Sequence, residues 1–98
     1  MIWLKYLLEF EYDQNKPDET IKLNMDYMKE MEKYPENYYK YLYPPQYTSN
    51  GKGFSIVEIT DTQQLINAQV FLERGFKMKF TPISDMGEQI VSYMSLKK

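Results

Sequence analysis

The chain has 98 residues, enough for one compact core and too few for two, so residues 1–98 read as a single domain. Zero cysteines remove disulfides, thiol nucleophiles and zinc thiolates, and zero histidines remove the usual general base and the commonest metal ligand. A formal charge of −2 provides no global field for nucleic acid, while 43% hydrophobic and 16% aromatic residues exclude a disordered tail.

The apolar start Met1-Ile2-Trp3-Leu4 is interrupted by Lys5 and ended by Glu9 and Glu11. It is too short and too charged for a signal peptide or a membrane span, so a soluble cytoplasmic protein is expected. Residues 2 to 12 alternate, with Ile2, Leu4, Tyr6, Leu8, Phe10 and Tyr12 on one side and Trp3, Lys5, Leu7, Glu9 and Glu11 on the other, which predicts a strand. Its first side should meet helices and its second something wetter.

Pro17 followed by Asp18 and Glu19 predicts a helix start, running to about Tyr34. Ile21, Met25, Met28 and Met31, widened by Leu23, Tyr27 and Tyr34, are expected to form its core face, opposite Lys22, Asp26, Lys29 and Lys33. Pro35 ends that helix. Tyr38, Tyr39, Tyr41, Tyr43 and Tyr47 then cluster around Pro44-Pro45, and consecutive prolines predict an edge strand, bent or interrupted, because neither can donate to a ladder. Asn50-Gly51 is a strong hairpin signal, turning that edge into a second alternating strand from Phe54 to Thr60.

Thr60-Asp61, with Gln63 or Gln64 beyond, predicts a capped helix burying Leu65, Ala68, Phe71, Leu72 and Phe76, with a left-handed cap at Gly75. Phe76, Met78 and Phe80 alternate with Lys77, Lys79 and Thr81 as a lysine-guarded edge strand closed by Pro82. Ser84 or Asp85 starts a last helix with Ile90, Val91 and Met94 as its apolar contacts.

The order is strand, helix, strand, strand, helix, strand and a terminal helix. It predicts an α+β fold: a ferredoxin-like βαββαβ unit with a four-stranded antiparallel sheet, helices on one face, and a C-terminal helix. The opposite face must be wetted, covered by the terminal helix or buried on a second copy. Alternation gives it Trp3, Lys5 and Leu7 and, if Phe54 points the same way, Ile56 and Glu58, an apolar patch that suggests a partner or a ligand.

Glu58 is the most pointed residue there, because a carboxylate in a central strand is costly unless solvated or paired with a cation such as Lys5. It either lines a wet cavity or is a satisfied structural group. The tyrosines, Tyr43 among them, suit either a pocket lining or edge packing. Candidate ligand-binding residues are therefore Glu58, Trp3, Lys5, Phe54 and Tyr43. Glu9, Glu11 and Asp13 lack calcium-loop spacing, so no metal site is expected. Gly51-Lys52-Gly53 precedes a strand rather than a helix and is hairpin chemistry, not a phosphate loop.

Over residues 54 to 84 the chain resembles a family of small bacterial and archaeal proteins of unknown function within the dimeric α/β-barrel superfamily. The likeness rests on Phe54-Ser55-Ile56-Val57-Glu58, on the helix-opening Asp61 and on Phe80-Thr81-Pro82-Ile83-Ser84; the tyrosine and proline cluster departs from it. The resemblance implies a homodimer with two sheets face to face, a dimeric α/β barrel, and a cavity for a small organic molecule. Any catalysis would be cofactor-free, and an axially histidine-ligated haem has no ligand here. A second reading is a non-enzymatic interaction or regulatory module that uses the face only to dimerise. A third is single-strand RNA binding, since Lys52 to Ile59 looks like the longer consensus of RNA-recognition domains and Ile2 to Leu7 like the shorter one. Ile56 in place of the central stacking aromatic, and a single arginine, Arg74, weigh against it.

Overall fold

The computed structural model describes residues 4–96. Its elements run β1 (Leu4–Tyr12), α1 (Pro17–Lys33), a single 3-10 turn (Pro35–Asn37), β2 (Lys40–Tyr47), β3 (Lys52–Ile59), α2 (Thr62–Leu72), β4 (Phe76–Ile83) and α3 (Met86–Leu96). The strands form one antiparallel sheet in the order β2-β3-β1-β4, so the two most apolar strands are central and the proline- and lysine-bearing strands are the edges. This is the expected ferredoxin-like α+β arrangement with a C-terminal helix.

Alternation decides which side chains reach the core. Leu8 and Phe10 of β1 and Ser55, Val57 and Ile59 of β3 point to the helix layer and are buried. Tyr27 on α1, Tyr38 and Tyr39 before β2, and Ala68 and Leu72 on α2 complete that core. Several rings meet edge-on, Tyr27 against Tyr38 at 5.5 Å and Phe10 against Tyr47 and Phe76 at 6.0 Å, the geometry that ring quadrupoles favour.

The β2–β3 turn matches its sequence signal. Asn50 (φ 55°) and Gly51 (φ 72°) both take positive φ, as a two-residue hairpin turn requires, and Lys52 N donates to Ser49 O at 3.1 Å. β2 is irregular as its prolines demand, with register shifts between Tyr41 and Tyr43 and between Tyr43 and Gln46. At the head of α2, Asp61 Oδ1 accepts from Gln63 N at 2.9 Å and the Gln64 side chain reaches back to the cap backbone, closing a capping box.

Three expectations fail. The core face of α1 is Thr20, Leu23 and Tyr27, while Ile21, Met25 and Met28 are 58%, 53% and 59% exposed. The large, rigid Tyr27 ring packs on Tyr38, Tyr39 and Phe71 and sets the roll of the helix, so that Ile21, Met25 and Met28 turn outward while Met31 packs against the edge of the core. Gly75 takes no positive φ; instead its backbone passes so close to α1 that a Cβ would sit 2.6 Å from Leu23 Cδ2. Ile90, Val91 and Met94 of α3 lie exposed and outside the core formed by the described residues.

Candidate functional site

α1 and α2 cover one side of the sheet, and the strand register lays out the other side row by row. In the first row Lys40, Glu58, Lys5 and Ile83 are neighbours across β2, β3, β1 and β4. The second row is Tyr43, Ile56, Leu7 and Thr81, and the third is Gln46, Phe54, Glu9 and Lys79. A last row of Lys52, Glu11 and Lys77 closes the face, with Lys52 Nζ 3.5 Å from a Glu11 carboxylate oxygen.

Four of the five predicted ligand-binding residues therefore share one surface. Lys5 and Glu58 are direct cross-strand partners, a placement in which Cβ atoms lie about 5 Å apart. Phe54 and Tyr43 stack with centroids 6.2 Å apart and planes only 7° from parallel. Tyr43 reaches this face because the shift after Tyr41 flips its side; Tyr41 and Tyr47, the odd-numbered tyrosines around it, oppose Val57 and Gly53 on the helix side. Trp3, the fifth, lies outside the described residues.

Sequence reasoning did not pick out Lys40, which pairs with Glu58 from the edge strand, so that the glutamate sits between two lysines. The signal was unreadable because the bulged β2 register decides it. The apolar centre of the face is Leu7 and Ile56, directly paired and half-buried, extended by Phe54 and the 46% exposed Tyr43. The face thus combines an apolar, aromatic middle with a polar row of alternating charge. Such an arrangement can seat a flat organic molecule and hold one charged substituent.

Other polar features lie apart from it. A cleft of about 750 Å³ opens between α1, the β1–α1 loop and the α2–β4 turn, with Thr20, Leu23, Tyr12 and Phe76 in its lining and Arg74 and Glu73 beside them. It contains none of the predicted site residues.

Beneath the helices lies a tyrosine cluster. Burial holds the Tyr27 and Tyr39 hydroxyls far above the ordinary phenol range and raises Tyr41 as well. Tyr38 is pushed up to about 12, first by burial and then by donating to Glu30 Oε2 at 3.0 Å, a bond that ionisation would destroy. The hydroxyls of Tyr27, Tyr39 and Tyr41 lie close enough to influence one another's ionisation, yet neither Tyr27 nor Tyr39 Oη has a well-formed hydrogen bond. These are proton-retaining structural groups, and their burial keeps them from serving as bases near neutrality.

No protein-family model, curated protein or solved structure matches this chain.

Proposed function

We propose that this protein is a cytoplasmic, homodimeric binding module whose open sheet face is the association surface and holds a small organic ligand without a cofactor. The observation that carries the reading is the row structure of that face: Leu7 and Ile56 paired at its centre, flanked by the Tyr43–Phe54 stack and by Lys5, Glu58 and Lys40. An apolar strip across a central strand pair is expensive to leave in water, and closing it against a second copy recovers about 1.5–3 kcal/mol for each large side chain buried. The resemblance over residues 54 to 84 points the same way.

The ligand class follows from the neighbours. A flat ring would lie along Tyr43, Phe54 and Ile56, and an anionic substituent would meet Lys5 or Lys40. RNA is disfavoured, because a formal charge of −2 and a single arginine, Arg74, leave little to bind phosphates.

Anilinonaphthalene sulfonate, a flat aromatic anion, is a suitable probe. The wild-type dimer should bind it, and Lys5→Gln and Phe54→Ala should each weaken binding by roughly tenfold. A dimer indifferent to both substitutions would remove the ligand from the reading and leave a face used for association alone. A monomer at all accessible concentrations would overturn it entirely.

A further inference from the structure

The cleft beside the first two turns of α1 has an apolar floor. Gly75 carries the α2–β4 turn in against Leu23, and the half-buried rings of Tyr12 and Phe76, 6.1 Å apart, complete that floor. Its volume of about 750 Å³ lies in the range of sites that take small organic ligands.

Three polar side chains along its walls have no partner among the described residues. Thr20 is only 8% exposed, yet its hydroxyl makes no hydrogen bond, although a helical threonine can use the carbonyl one turn back. Unlike the Ser55 hydroxyl it is not sealed from solvent, so the opening it keeps is onto the cleft that it lines. Arg74, the single arginine of the chain, stands exposed on the α2–β4 turn without an ion pair. Asp26 is half-buried and has neither an ion pair nor a hydrogen bond. Two other carboxylates of the cleft are engaged, Glu11 with Lys52 Nζ and Asp13 with Asn15 N.

Charge and spacing narrow what these groups would take. The lining holds four bases and five acids, so a polyanion such as a nucleotide meets as much repulsion as attraction, whereas a ligand with one charge of each sign is matched. Thr20 and Asp26 lie six residues apart on α1, a rise of about 9 Å. An extended chain of two residues reaches about 7 Å and one of three about 10 Å, whereas the two charges of a free amino acid sit on one carbon.

We infer that this cleft is a second binding site, for a short peptide of two or three residues with free ends. Its terminal carboxylate takes the Thr20 hydroxyl and the Arg74 guanidinium, its terminal ammonium meets Asp26, and an apolar side chain lies on Tyr12, Phe76 and Leu23. The site is separate from the open sheet face and does not depend on self-association, because every group in it comes from one chain.

Titration calorimetry of the full-length protein with the dipeptide leucyl-phenylalanine tests this. The free dipeptide should bind, and its N-acetylated form, its C-terminal amide and free phenylalanine should each bind at least roughly tenfold more weakly. Thr20→Val, Arg74→Gln and Asp26→Asn should each weaken the free dipeptide by about as much. Absence of binding at millimolar dipeptide overturns the inference. Equal binding of the blocked forms overturns it, since the charged ends would then do nothing, and equal binding of phenylalanine overturns the span argument on which it rests. Because Thr20 is buried, the urea midpoint of Thr20→Val is measured alongside; if it falls, the exposed Arg74 and half-buried Asp26 carry the test. Dipeptide binding indifferent to both Arg74→Gln and Asp26→Asn would place the peptide elsewhere and refute the site.

Discussion

Among the described residues, Ser55 Oγ, fully buried on the helix side of β3, has no hydrogen-bond partner, and the Tyr27 and Tyr39 hydroxyls lack a well-formed one. An unsatisfied buried hydroxyl costs roughly 1–3 kcal/mol, so Ser55→Ala should stabilise the fold by about 1 kcal/mol, read as a higher urea midpoint at unchanged slope. A lower midpoint would show that the hydroxyl is satisfied. The tyrosines make the alkaline limit equally specific. Their native-state values lie above the ordinary phenol value near 10, so above that pH the unfolded chain releases protons that the native state retains. The contribution of these tyrosines is complete below about pH 10 and is lost as pH rises toward and beyond 12, by about 1.4 kcal/mol per pH unit for each retained proton. Ionisation of the full complement of ten tyrosines should therefore require loss of far-ultraviolet dichroism; complete tyrosinate absorbance with the dichroism intact would contradict the burial. The tyrosine row was visible in the sequence, but its division was not. Tyr38 and Tyr39 enter the core, Tyr41 and Tyr47 stay on the helix side and Tyr43 crosses to the open face, because bulges next to Pro44-Pro45 reset a period of two that sequence alone would have continued.

Among the elements, β1 and β3 were the most legible. Strict alternation assigns Lys5, Leu7 and Glu9 to one face and Leu8 and Phe10 to the other before any partner is known, and the Asn50-Gly51 turn then sets β3 against its neighbours. Pairing also leaves a constraint at Gly53. A Cβ there would run into the Phe10 ring and the Gln46 carbonyl oxygen, so Gly53→Ala should destabilise by about 1–3 kcal/mol, measurable as a drop in urea midpoint. A neutral result would mean that β2 and Phe10 move aside easily. The helices were less legible. α1 has apolar residues on so wide an arc that periodicity does not decide its roll; burial of Tyr27 decides it, and Met25 and Met28 are left outside while Met31 packs against the core. For α3 the spacing shows which residues want cover but contains no information about what supplies it.

For the molecule as a whole, one side of the sheet is packed under α1 and α2 and the other presents a half-buried apolar strip between charged rows. Four of the five sequence-derived site residues lie together there, because two-residue periodicity and the ferredoxin-like strand order were both readable. The added lysine, Lys40, depended on an edge register that only the folded chain shows. Whether this side closes against a second copy decides the function proposed for it. Sedimentation equilibrium over a wide concentration range, on the wild type and on Ile56→Glu, tests that directly. The wild type should sediment as a dimer, and the substitution, which places an uncompensated charge at the centre of the strip, should weaken association roughly 100-fold, equivalent to about 3 kcal/mol, while leaving the monomer folded. A wild type that remains monomeric, or an Ile56→Glu protein that dimerises as tightly as the wild type, would contradict it.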